Sequence, residues 1–249
     1  MYQGTAHTGR TFLPVDLHTH SIASGHGTRD TLTDLAKEAA SRGMQVLGIS
    51  DHGPATPGGA SLSYFRSLIQ APESRFHVRI LKGAEANILE GGELDIPEEI
   101  RSRLDFCIVS MHHPPRRDLT PEENTKDYLC ALSLPFVTIL GHCDGTRFPL
   151  DYEAVTDACL LHRVIVELNE VSLGDSGYHQ FPGTDIRANC RTLAACCQRK
   201  GIPVLLSSDS HGRAGIGAMD NALALAREAG IPDTQIVNFT PSLLRWKDL

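Results

Sequence analysis

At 249 residues and 41% hydrophobic content, the chain is long enough to bury a substantial core, as one α/β barrel or as two small domains. Its formal charge of -7 gives no broad attraction to nucleic acid or anionic lipid, so a nucleic-acid partner is disfavoured. No run approaches the ~20 apolar residues that span a bilayer, no early segment reads as a signal peptide, and seven cysteines without a CxxC spacing suit reduced thiols, so a soluble cytoplasmic protein is expected.

After an N-terminal extension over residues 1–12, the first apolar run spans 13–17 and leads into DLHTHS. Leu32, Leu35, Ala36, Ala39 and Ala40 then recur at helical spacing, with Thr31 as N-cap and Gly43 as stop. Six further runs rich in Val, Ile and Leu follow at 46–50, 79–84, 106–110, 136–140, 164–168 and 203–207. Apolar on both faces, they have the composition of buried parallel strands. Helical patterns at 121–132, 151–162, 186–200 and 217–229 separate or follow the later runs, with Pro121 and Pro203 at boundaries. This alternation predicts a parallel sheet, closed into a barrel or opened into a doubly wound layer, in a single domain over 1–249. Loops at 53–61 and 171–184 are expected to form flaps over one end.

Six of the seven runs end near a residue able to bind metal. DLHTHS carries His18 and His20, GHGT carries His26, and SDHGP carries His52. Glu85 follows in GAEAN, His112 in MHHPP, His142 in LGHCD, and Asp209 with His211 in SSDSH. Two residues apart in an extended segment, His18 and His20 share a face and can reach one ion. In a parallel barrel all C-terminal strand ends lie on one rim, where barrel enzymes place their reacting groups. Nine donors exceed what one tetrahedral ion accepts, which implies two or three ions. An imidazole-rich set suits zinc, with manganese or iron as alternatives, better than magnesium or calcium. His7, His77, His113, His162 and His179 fall mostly in helices, loops or strand starts and stay outside the set. Cys143, although next to His142, is expected to be a buried thiol.

Together, DLHTHS, SDHG, GAEANI, MHHP, GHCD and SSDSH resemble the PHP (polymerase and histidinol phosphatase) superfamily over almost the full chain, and most closely its small stand-alone YcdX-like phosphatases. The resemblance implies a distorted (β/α)7 barrel with a trinuclear metal centre. It assigns His18, His20, Glu85 and Asp209 to one ion, and lets Glu85 bridge to a second held also by His112 and His142. His26, His52 and His211 fall to the third. It also implies hydrolysis of small-molecule phosphate monoesters, with Glu85, Asp209 and His142 as the residues on which catalysis turns.

Under that reading, an ion lowers the pKa of its bound water to ~7, and the resulting hydroxide attacks phosphorus between the two ions that share Glu85. Asp16, Asp51 and Asp144 each neighbour a ligand histidine and are candidates to accept its second ring proton. Glu167 and Asn169 share a face of their strand and should point to the mouth. Arg116, Arg117, Arg147, Arg187 and Arg213 lie in loops where a guanidinium could clamp phosphate, against the ordinary expectation of surface arginine. The segment GIGAMD at 215–220 reads as a tight turn before an anion cradle. Histidinol phosphate is the named alternative substrate. A metal-dependent amidohydrolase or deaminase is the rival enzyme, although it has no need of His26, His52 and His211 together. A metal-binding module without turnover, in the manner of a polymerase-associated proofreading partner, is the third reading, and a homo-oligomer is left open.

Overall fold

Residues 12–174 and 183–248 are described by the structure, a computed structural model, with side chains as far as residue 245. In chain order it runs β1 (Val15–Asp16), β2 (Thr19–His20), α1 (Leu32–Ser41), β3 (Val46–Ile49), α2 (Leu62–Leu68), β4 (Ser74–Arg75), β5 (Val78–Lys82) and β6 (Glu85–Asn87). There follow α3 (Glu98–Arg101), β7 (Ile108–Ser110), α4 (Pro121–Ser133), β8 (Ile139–Leu140), α5 (Tyr152–His162) and β9 (Ile165–Asn169). The last elements are α6 (Glu170–Leu173), α7 (Ile186–Lys200), β10 (Val204–Ser207), β11 (Ser210–His211) and α8 (Asp220–Glu228), with short 3-10 turns at several corners.

The parallel pairings run β1 to β3 to β5, and β6 to β7 to β8 to β9 to β10. β5 and β6 are successive parts of one extended stretch, and β11 pairs in parallel with β2. The order therefore returns on itself as seven stretches, a distorted barrel of the α/β class. At the seam between β1 and β10 the side chain of Asn238 substitutes for a ladder. It accepts from Leu206 N at 2.9 Å and donates to the carbonyls of Val15 and Leu206, each at 2.8 Å.

Period-two alternation along the strands sorts their side chains. Val15, Leu17, Leu81, Phe106, Ile108, Ile139, Ile165 and Leu205 fill the interior. Their neighbours Leu47, Ile49, Val109, Leu140, Val166 and Leu206 face outward into the larger core beneath the helices. The same alternation continues upward from Ile165, so Glu167 and Asn169 also point inward, as their shared face suggested. Room for the Phe106 ring exists because residues 48 and 83 are glycines. A Cβ at either would stand 2.8 or 2.2 Å from that ring.

Helix signals act locally as expected. Thr31 caps α1 in a reciprocal box with Asp34, and Gly43 takes a left-handed φ of 70° just beyond it. Pro121 opens α4 behind the Thr120 cap. The helix predicted over 217–229 starts only at Asp220, because Gly217 is left-handed and bonds Asp16 while Ala218 bridges Phe12. Helices α2, α3 and α6, of seven residues or fewer, carry too few turns to show periodicity and lie outside the predicted elements. Of the flap expected at 171–184, residues 171–173 belong to α6 and 175–182 lie outside the described residues, as do residues 1–11 of the N-terminal extension.

Candidate metal centre

All nine donor side chains come from C-terminal strand ends or the loops that follow them, and they meet at one rim. His18, His20 and Glu85 are fully buried there, and His52, His142 and Asp209 nearly so. His26, His112 and His211 complete the set from partly covered positions. Of the histidines left outside it, His77 and His113 are exposed and His162 ends α5. His7 and His179 lie outside the described residues. Cys143 is buried and packs in the outer core.

Glu85 is the hub. Its Oε1 lies 2.8 Å from His142 Nε2 and 3.2 Å from His112 Nε2. Its Oε2 lies 2.7 Å from His52 Nδ1 and 3.3 Å from His18 Nε2. Asp209 Oδ1 stands 3.1 Å from His20 Nε2 and 3.5 Å from His18 Nε2. Asp209 itself sits in the left-handed region with φ 48°, a conformation that acids tolerate better than most residues and that marks a site held by its surroundings.

Five of these buried atoms, His18 Nε2, His20 Nε2, His52 Nδ1, Glu85 Oε2 and His211 Nε2, make no hydrogen bond. Buried polar atoms outside a regular hydrogen bond are costly, and these crowd into one space among the carboxylates. Divalent cations would satisfy them, so the donor set fits metal. The close groups are His18, His20 and Glu85; His52, Glu85 and His112; His20, His52 and His211; and His18, His142 and Asp209, with ligand atoms in each within 4.8 Å of one another. His26 belongs to none of the four, but its ring centroid is 4.9 Å from those of both His52 and His211.

A second layer fixes which ring nitrogen faces inward. His18 Nδ1 donates to Glu167 Oε1 at 2.6 Å. Ser24 gives its hydroxyl proton to Asp51, so it accepts from His20 Nδ1 at 2.9 Å. The amide of Asn87 is oriented by Asp95, leaving Oδ1 to accept from His112 Nδ1 at 2.8 Å. His26 Nδ1 reaches the Ser24 carbonyl. The ring partners of His18, His20, His26 and His112 are thus residues other than the expected acceptors Asp16, Asp51 and Asp144. Asp16 binds Ser208 and the backbone of His18 and Gly217, and Asp144 binds Ser172 and Cys190. Only Asp51 directly adjoins its ligand histidine, His52, and pleating turns such neighbours to opposite faces. Asn87, two residues from Glu85, shares its face and was recoverable by that spacing. Ser24 carries no such signal.

Burial disfavours every charge here, and the carboxylates decide which imidazoles keep a proton. For Glu85, burial pushes the pKa up, but His112, His18 and His52 together hold it well below the usual range. For His18, burial pulls down, yet Glu167, Asp209 and Glu85 lift it well above that of an ordinary histidine. His142 is likewise raised against burial, to about 9, by its bond to Glu85. Burial lowers His112 to about 4 and, with His52 beside it, drives His20 far down.

The candidate phosphate arginines have structural partners. Arg116 is fully buried on Asp127, Asn124 and the Leu89 carbonyl, and Arg187 bonds the Leu173 carbonyl. Arg117, Arg147 and Arg213 pair with Glu90, Asp118 and Asp30. GIGAMD is a turn, its Gly215 and Gly217 amides donating to Ser210 and Asp16. Beside the donors lies a cleft of about 660 Å³, lined by His26, Asp209 and His211 together with Glu170, Gly215 and Asn221.

The PHP domain family profile matches residues 16–170, spanning β1 through β9 and most of the donors. The chain belongs to the PHP domain family. A probable phosphatase from Clostridium acetobutylicum is 37% identical to it over 225 residues, covering 90% of this chain and 89% of that one. One from Acetivibrio thermocellus is 38% identical over 228 residues, covering 90% of each. Among solved structures, a histidinol phosphate phosphatase from Lactococcus lactis, complexed with zinc, L-histidinol and phosphate, superposes with a TM-score of 0.57 at 17% identity. That overlap takes in 88% of this chain and 94% of the other, and supports the shared PHP fold. No helix among the described residues is long and apolar enough to cross a membrane.

Proposed function

We propose that this chain is a metal-dependent phosphatase that hydrolyses small-molecule phosphate monoesters at a centre of three divalent ions, with zinc the first choice and manganese or iron the alternatives. The observation that carries this reading is the crowding of buried imidazole nitrogens around the carboxylates of Glu85 and Asp209, with five of these ligand-type atoms in no regular hydrogen bond. Probable-phosphatase relatives across nine-tenths of the chain support the phosphoryl chemistry. His18, His20, Glu85 and Asp209 would hold one ion. Glu85 would bridge to a second with His112 and His142, and His26, His52 and His211 would hold the third. Such ions supply positive charge against phosphoryl oxygens and acidify water enough to generate hydroxide near neutral pH.

The protein's own part is placement. Ser24, Asn87 and Glu167 lock the rings of His20, His112 and His18, so the inward nitrogens need little reorganisation to bind. The 660 Å³ cleft is of a size for the alcohol half of a small ester, in the range of small-molecule sites. Metal analysis paired with phosphate release from sugar phosphates, nucleotides, histidinol phosphate and an aryl phosphate tests the reading. Three ions per chain and release from at least one monoester are expected. One or two ions with no phosphate release would instead favour an amidohydrolase.

A further inference from the structure

Glu167 lies in the middle of β9, fully buried, directly beneath the donors. A buried carboxylate survives only when its oxygens are matched by donors. Here four donors meet two oxygens. Oε1 accepts from His18 Nδ1 at 2.6 Å and, in a short bond, from the Ser207 hydroxyl. Oε2 accepts from the backbone N–H of His142 at 2.6 Å and from Asn169 Nδ2 at 3.2 Å. An ionised carboxylate has about four lone-pair sites and no proton of its own, which is what this environment requires. An amide in the same place would set its NH2 group against two donors.

Two of those donors belong to proposed ligands on opposite sides of Glu85. His18 Nε2 faces Oε2 of Glu85 at 3.3 Å, and His142 Nε2 faces Oε1 at 2.8 Å. Access to the His142 backbone depends on residue 141 being glycine, since a Cβ there would come 2.3 Å from Ser110 Oγ and 3.5 Å from Glu167 Oε2. We infer that Glu167 is a positioning residue for the centre. It holds His18 as the Nδ1–H tautomer and fixes the turn that carries His142, so that both present Nε2 to ions sharing Glu85. This assignment rests on the metal-dependent reading above, and it gives one side chain control of two ligands that are 124 residues apart.

The experiment uses the full chain labelled with 15N-histidine, together with Glu167→Gln and Glu167→Asp. In the zinc-loaded wild type, His18, identified by the signal missing from His18→Asn, should show a protonated Nδ1 hydrogen-bonded far downfield and a deprotonated Nε2 shifted by the metal. Glu167→Gln should lose the downfield proton and bind Zn2+ roughly 10–100-fold more weakly, the usual cost of removing an outer-layer partner of a metal-bound histidine. Glu167→Asp keeps the charge but is one methylene short, and should fall between the two. An unprotonated Nδ1 in zinc-loaded wild-type His18 would overturn the assignment, as would Zn2+ affinity in Glu167→Gln within twofold of the wild type. Should the glutamine variant not fold, the wild-type spectrum alone decides. A wild type that takes up no metal yet shows the downfield Nδ1–H would reject the metal-dependent reading while leaving the His18–Glu167 bond in place.

Discussion

Glu85 Oε1 and His142 Nε2 meet at 2.8 Å across 57 residues of chain, and that contact joins β6 to the end of β8 at the centre of the donor set. Removing either side chain takes away a proposed ligand, not merely its support. Loss of an outer partner commonly costs 10–100-fold in activity, so Glu85→Ala and His142→Ala should each lower phosphate release by more than about 100-fold. Circular dichroism should report a folded protein in both. Substantial turnover in the two variants would reject the roles given to these residues.

Most of this site was legible because strand polarity and motif order are properties of the chain itself. Residues that end parallel strands share a rim whatever the loops do, and GAEAN, GHCD and SSDSH place Glu85, His142 and Asp209 there. What stayed hidden is contact between residues far apart. Nothing local announces that Asn238 closes the seam between β1 and β10, or that Ser24 lies between His20 and Asp51. Asp51 was misleading because pleating sends it and its neighbour His52 to opposite faces, whereas Asp16, two residues from His18, is taken up by the Ser208 hydroxyl and the Gly217 backbone, both distant in sequence.

The Asn238 seam gives a second expectation. Asn238→Ala would leave a buried N–H and two carbonyls of β1 and β10 without their partner, at roughly 1–3 kcal/mol for an unsatisfied group. Thermal unfolding of the metal-loaded protein should shift down by several degrees, at about 2–4 °C per kcal/mol for a chain of this size. Phosphate release at 25 °C should stay near the wild-type rate, because Asn238 touches none of the nine donors. An unchanged melting temperature would show that the side chain does not hold the seam.

Protons and metal compete for the same nitrogens. In the metal-free chain His142 keeps its proton up to about pH 9, and the carboxylates beside His18 raise it well above the ordinary histidine value. Coordination requires neutral imidazole, so adding Zn2+ at pH 7 in weak buffer should release protons, and the release should fade above about pH 9. Stability follows the same sign. Both folded values exceed the unfolded ~6.5, so the contribution is complete below that pH and is lost as pH rises through about 9. The melting temperature of the chelated protein should therefore fall across that window. Titration calorimetry in buffers of different ionisation enthalpy measures the released protons; their absence at pH 7 would contradict the charge distribution described for the mouth.

Arg116 supplies a final expectation, because it separates packing from phosphate recognition. Its guanidinium pairs with Asp127 at 2.7 Å, donates to Asn124 and the Leu89 carbonyl, and is wholly shut from solvent. Breaking a buried pair by removing one partner leaves an uncompensated charge and costs about 3–5 kcal/mol. Arg116→Ala should thus lower the melting temperature by on the order of 10 °C, with KM for phosphate esters unchanged where the variant is folded. Arg213, exposed and paired loosely with Asp30 at 3.7 Å, is the contrasting case: Arg213→Ala should leave stability within about 0.5 kcal/mol of the wild type. A raised KM in Arg116→Ala at unchanged stability would move this residue from the scaffold to the substrate.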